Sequence, residues 1–153
     1  MSIEERLRDL NIELPAPTPA GANYLPFLQI GDVVYISGQL PKRDGGYQFI
    51  GKLGREFDVP QGQQAAELCA LNVLAVLAQA LGGDLNRVRQ CIRVGGYVNS
   101  TPDFASHSQV VNGASDLLVR VLGDPGRHTR IAVGMSSLPY DCAVEVEAQF
   151  QVR

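Results

Sequence analysis

From Val144 to Val152 the chain alternates without a break: the even positions are Val, Val, Ala, Phe and Val, and the odd positions are Glu, Glu, Gln and Gln. A period of two sustained this long belongs to a strand with one buried face and one polar face. A helix would spread those side chains around its circumference, so the segment commits the chain to a sheet with one dry side. Two segments have the apolar stripe needed to cover it. Between Gln61 and Ala80, Ala65, Leu68, Cys69, Val73, Val76, Leu77 and Ala80 recur at three- and four-residue spacing. From Phe104 to Leu122 a second stripe runs through Val111, Ala114, Leu117, Leu118, Val119 and Leu122. Gly82-Gly83 and Gly123-Asp124-Pro125-Gly126 are their stop signals.

The other strands are shorter. Phe27–Ile30 and Val33–Ser37 flank Gly31-Asp32 and read as a hairpin, and Tyr47–Ile50 follows as a third strand. Val88–Val98, Ile131–Ser136 and Ala143–Val152 complete the order βββαβαββ. The arrangement with the fewest exposed edges is an α+β two-layer sandwich, a mixed sheet with both long helices on one face. Ahead of it, Ser2–Leu10 reads as a short amphipathic helix with a serine N-cap, ended by Pro15, Pro17 and Pro19. Residues 1–20 are therefore expected to form an arm laid across a core of residues 24–152, all within one domain of residues 1–153.

Charge and cysteine content narrow the function. Thirteen basic and sixteen acidic residues leave a net charge of -3 with no concentrated run of either sign, which gives no field for a nucleic-acid backbone. Cys69, Cys91 and Cys142 are odd in number and form no CxxC pair, so reduced, buried thiols in a cytoplasmic protein are expected. Nowhere do eighteen apolar residues run together, and no membrane span is expected. His107 and His128 lack ligand spacing, so no metal is expected. Gly82-Gly83 and Gly95-Gly96 lack the lysine of a phosphate-binding loop.

The register of the last two strands carries the functional reading. If Ile131–Ser136 and Ala143–Val152 pair antiparallel through Ser137–Asp141, with both apolar rows on one side, then Arg130 falls beside the glutamate row on the face away from the helices. One reading is a solvated Arg130–Glu145 pair, worth roughly 0–1 kcal/mol. The other is an oligomer interface with ligand pockets in it, because Ala132, Gly134, Ser136, Gln149 and Gln151 are small or uncharged. A partly enclosed guanidinium offers a fork to a ligand carboxylate, and a nearby buried carboxyl can hold or relay a proton.

The segment Ser37-Gly38-Gln39-Leu40-Pro41, and Arg130 followed by Leu138-Pro139 and Val144-Glu145-Val146-Glu147-Ala148, resemble the Rid family, also called YjgF-like, UK114-like or endoribonuclease L-PSP-like. The likeness covers roughly residues 24–152, and the long start is similar to a subgroup with an N-terminal extension. The resemblance implies a chorismate-mutase-like subunit in a homotrimer, with clefts between subunits. It implies cofactor-free, metal-free hydrolysis of 2-aminoacrylate-type enamines and imines to 2-oxo acids and ammonia. Carried over by position, Arg130 grips the substrate carboxylate and Glu145 positions or activates water. Tyr24, Ser37, Gly38 and Asn112 line the substrate site. Ala132 stands where many active members have cysteine, and Asn23-Tyr24-Leu25-Pro26 departs from the usual setting of the tyrosine. Plain alternatives stand beside these roles: Tyr24 covering a core edge, Ser37-Gly38 ending a strand, Asn112 satisfying local backbone. The runner-up functions are a trimeric protein that binds a small carboxylate metabolite with little turnover and, behind it, a ribonuclease.

Overall fold

The computed structural model describes residues 1–153. Helix α1 spans Ile3–Asp9 and opens on a capping box in which Ser2 accepts from the Glu5 amide and Glu5 accepts from the Ser2 amide. It ends at Asn11, whose φ of 52° turns the chain out of the helix before any proline is reached. The backbone, not Pro15, Pro17 or Pro19, is the stop. The opening helix is tied to the loop after the first long helix: the Ile3 amide donates to Asn86 Oδ1 at 2.9 Å, and Asn86 Nδ2 donates to Glu4 at 2.6 Å.

Strands β1 (Phe27–Ile30) and β2 (Val33–Gln39) form the first hairpin, with Gly31 at a φ of 60° in the turn. The expected third strand at Tyr47–Ile50 does not join them. Instead β3 (Lys42–Arg43) and β4 (Gly46–Tyr47) close a separate two-stranded ribbon. Phe49 has a φ of 53°, which breaks the extended run and explains why it cannot continue as a strand. Helix α2 (Val59–Ala80) begins at an Asp58–Gln61 capping box, slightly ahead of the apolar stripe. It is buried around most of its circumference because it lies between the sheet and helix α3 (His107–Leu122). The two helices cross closely at Gly113, where a β-carbon would run into the backbone carbonyl of Gln63.

The main sheet has the order β1-β2-β7-β5-β6, with β5 spanning Val88–Asn99, β6 Thr129–Met135 and β7 Val144–Val152. Thus β6 and β7 are not a hairpin, contrary to the sequence expectation. They flank β5, with β6 parallel and β7 antiparallel to it. The physical reason is the crossover: β5, α3 and β6 form a strand–helix–strand unit, which returns the chain parallel to the strand it left. A core cluster of 31 buried residues fills the space between sheet and helices, with Phe150, Leu74, Leu77, Leu117 and Val94 fully enclosed. The fold is therefore the α+β two-layer sandwich with a chorismate-mutase-like subunit. No helix is long and apolar enough to cross a membrane.

The new strand order reverses one side-chain assignment. Arg130 pairs with Val94, and Val94 and Val98 are fully buried under the helices, so Arg130, Ala132 and Gly134 point toward α3. Ile131, Val133 and Met135, expected to face the helices, lie on the opposite, outward face. The irregular register between Cys91 and Arg93 resets the alternation of β5 and lets odd Cys91 and even Val94 both be buried.

Candidate functional site

Arg130 and Glu145 do not share a face. Glu145 pairs with Tyr97 and lies with Glu147 on the outward side, while Arg130 turns under α3. The expectation that one chain brings them together fails because it assumed direct β6–β7 pairing. The structure instead holds two separate candidate half-sites.

The first half-site is a cradle for the guanidinium. Arg130 Nη1 donates to Asn112 Oδ1 at 2.8 Å and to Ser115 Oγ at 3.1 Å, and Nη2 donates to Ser108 Oγ at 2.7 Å and to the Ser108 carbonyl at 3.2 Å. Ser108, Asn112 and Ser115 recur at the spacing of one helix face. All these partners are neutral, so the half-buried cation is oriented without being neutralised. Behind it, Ser115 Oγ lies 2.8 Å from His128 Nε2, and His128 Nδ1 lies 2.6 Å from the Gly126 carbonyl. The chain of donors runs consistently from Arg130 through Ser115 to a neutral His128 that donates to Gly126. Burial, with the Arg130 charge adding to it, lowers the His128 pKa.

The second half-site is a cavity of about 330 Å³ that brings Tyr24, Gly38 and Glu145 together with Lys42, Tyr47 and Tyr140. The arm supplies one wall through Thr18–Ala22. Gly38 is required by proximity, since a β-carbon there would overlap the Glu145 carboxylate. Burial, with Glu147 adding its charge, raises the Glu145 pKa. Glu147 itself accepts from the Tyr97 hydroxyl at 2.9 Å. Ser37 turns aside: its hydroxyl donates to the Leu25 carbonyl at 2.6 Å and pins the chain that leads from the arm into the sheet. Tyr24 is half-exposed at the pocket rim.

Tyr140 and Asp141 both have left-handed backbone angles, with φ of 57° and 56°. For non-glycine residues this costs about 1–2 kcal/mol each. The turn is held by the Gly51 amide donating to the Asp141 carbonyl at 2.7 Å and by Asn99 donating to Asp141 Oδ1 at 3.0 Å. Its result is to lay the Tyr140 ring on Tyr47, with centroids 4.4 Å apart. Sequence reasoning missed Lys42, Tyr47, Tyr140, Ser108, Ser115 and His128. The polar face at 108, 112 and 115 was a readable signal; nothing in the sequence announced the left-handed turn. No three His, Cys, Asp or Glu side chains converge to hold a metal ion.

The sequence profile of the family described as "YjgF/chorismate mutase-like, putative endoribonuclease" matches residues 4–149. Protein TCP17 of Trypanosoma cruzi is 44% identical over 147 residues, which is 95% of this chain and 91% of that protein. The crystal structure of Atu1372 from Agrobacterium tumefaciens superposes with a TM-score of 0.93 at 47% identity, covering 99% of this chain and 92% of that one. A structure from Shewanella oneidensis MR-1, which carries the same endoribonuclease description, gives a TM-score of 0.96 at 33% identity and covers 99% of this chain and 100% of that one.

Proposed function

The chain belongs to the YjgF/Rid family, and from that premise we propose that it hydrolyses small enamine and imine carboxylates of the 2-aminoacrylate type to 2-oxo acids and ammonia, in clefts completed between the subunits of a homotrimer. Deamination of such reactive intermediates is an activity of members of the family. The observation that carries the reading is the separation of the half-sites: a cradled guanidinium with no acid partner on one face of the sheet, and a half-buried carboxyl on the other. Each is incomplete alone. A rotationally related copy that sets the β6 edge of its sheet against the outward face of its neighbour would bring Arg130 of one subunit to Glu145 of the other. The outward face suits such docking, since Ile131, Met135, Leu28, Ile30 and Tyr35 are exposed apolar side chains around a polar centre.

In such a cleft Arg130, whose Nη donors are held by Asn112, Ser115 and Ser108, offers the substrate carboxylate its remaining Nε–H and its uncompensated positive charge. The enamine first takes a proton at C3 to become the imine. Water then forms a C–O bond at C2 while the C=N electron pair moves to nitrogen, which takes a proton. The C2–N bond breaks with its electrons leaving on ammonia, and the hydroxyl loses its proton as the carbonyl forms. Glu145 faces this sequence with its pKa raised by burial, which favours the protonated form that can give a proton to nitrogen, and its carboxylate can accept one from water. A binding protein for small acids would share the Arg130 cradle but has no use for a carboxyl with a raised pKa beside it, whereas a hydrolase needs one to move protons. Freshly generated 2-aminoacrylate tests the proposal: 2-oxo acid should form faster than in buffer, and Arg130→Met or Glu145→Gln should remove the acceleration. Saturable binding of a small acid with no acceleration in the unmodified protein would move the conclusion to the binder.

A further inference from the structure

The cavity beside Glu145, about 330 Å³ and open to solvent, carries polar groups that a three-carbon substrate bound at Arg130 and Glu145 does not use. With Glu145 it is lined by Lys42, Tyr47 and Tyr140. The Lys42 ammonium lies 5.4 Å from the Tyr47 ring centroid and forms no ion pair with any acid of the chain. Tyr47 meets both this ammonium and the Tyr140 ring, which is stacked on it with only 17° between planes. Burial and the neighbouring Tyr140 raise the Tyr47 pKa, so its hydroxyl remains a donor.

This wall is anchored in the core. Asn72 of α2, 1% exposed, donates to the Leu40 carbonyl at 3.2 Å and to the Lys42 carbonyl at 2.9 Å, tying down the ribbon that carries Lys42 and Tyr47. The left-handed Tyr140 is held just as firmly from the other side by the Asp141 hydrogen bonds. A free cation, phenol donors and a strained, pinned turn stand together in the pocket that also holds the Glu145 carboxyl.

Resting on the deaminase reading, we propose that Lys42, Tyr47 and Tyr140 form a subsite for a second carboxylate, so that the preferred substrates are 2-imino dicarboxylates. The substrate's first carboxylate goes to Arg130, C2 faces Glu145, and the side-chain carboxylate meets the Lys42 ammonium and the tyrosine hydroxyls. The upward shift of Glu145 lessens the repulsion a second anion would otherwise meet.

The test uses the purified full-length protein with 2-iminoglutarate and 2-iminopropionate, generated in situ from glutamate and alanine by amino acid oxidases, and follows 2-oxo acid formation above the uncatalysed rate. The expected kcat/KM for 2-iminoglutarate exceeds that for 2-iminopropionate by roughly tenfold or more, as a charge-assisted contact gives. Lys42→Met and Tyr140→Ala, both at solvent-reached positions, should each lower that ratio by about tenfold. Calorimetry should find tighter binding of 2-oxoglutarate than of pyruvate, with the difference reduced in the Lys42→Met protein. Equal kcat/KM for the two imines, or a ratio unchanged in both variants, overturns the subsite while leaving the deaminase reading intact. No turnover of either imine by protein with a native circular dichroism spectrum overturns both.

Discussion

Arg130 and Glu145 sit on opposite faces of one sheet, the first hydrogen-bonded under helix α3 and the second in the outward row beside Tyr97. A composite site of these two residues therefore needs two chains. Arg130→Met and Glu145→Gln proteins should each be inactive, yet co-refolded at equal amounts they should regain activity in about a quarter of their clefts, because random mixing joins an intact Arg130 to an intact Glu145 with that frequency. Turnover of 2-aminoacrylate by the mixture measures this; a mixture as silent as its parents contradicts the two-chain cleft.

Gly38 is the floor against which the Glu145 carboxyl rests. Gly38→Ala should push that carboxyl from its position and lower kcat by at least about tenfold, the usual cost of misplacing a proton-transfer group. Stability should change by roughly 1 kcal/mol or less, because the clash is with the movable end of a side chain. Turnover and a thermal melt on the same sample separate the two effects.

Glu145 also makes a stability prediction. Its pKa in the folded protein is raised above the ordinary 4.5, first by burial and then by Glu147. Below that ordinary value both the folded and unfolded chains carry the proton, and the residue is neutral to stability. As pH rises through the folded-state pKa, the unfolded chain ionises more readily and stability is lost. Glu145→Gln should therefore match the parent melting temperature in acid and exceed it at pH 7, while losing activity. A variant that melts lower than the parent at pH 7 would remove the buried-carboxyl argument.

His128 has the opposite sign. Burial lowers its pKa below the ordinary 6.5, so the folded state prefers the neutral ring that accepts from Ser115. Its stabilising effect is present above about pH 6.5 and fades as pH falls through the folded-state value. The melting-temperature advantage of the parent over His128→Gln should shrink from pH 7.5 to pH 5. Loss of the ring should also raise KM more than it lowers kcat, since His128 orients Arg130 through Ser115 without meeting the substrate; an unchanged KM would refute that positioning role.

Much of the architecture was legible from periodicity. The Val144–Val152 alternation and the apolar spacing of α2 and α3 each demanded one buried face, and the sandwich is what satisfies all three at once. Strand order was read wrongly where a short connection between β6 and β7 was given more weight than the helical crossover from β5 to β6. That misreading turned Arg130 to the wrong side and placed it beside Glu145 within one chain. The ribbon of β3 and β4 was missed because two-residue strands have no period to detect. Tyr140 was missed because its backbone conformation is imposed by Gly51 and Asn99, far away in sequence.

Asn72 grips the Leu40 and Lys42 carbonyls, bonding to backbone and to no polar atom of a side chain on the ribbon. The attachment is blind to what position 42 or 47 carries. Over evolutionary time, or in a library, the ribbon can thus be resurfaced like an exchangeable faceplate while its mounting stays bolted to the same asparagine. Relatives with an unaltered scaffold could diverge in diet by swapping only what that faceplate shows to the cleft.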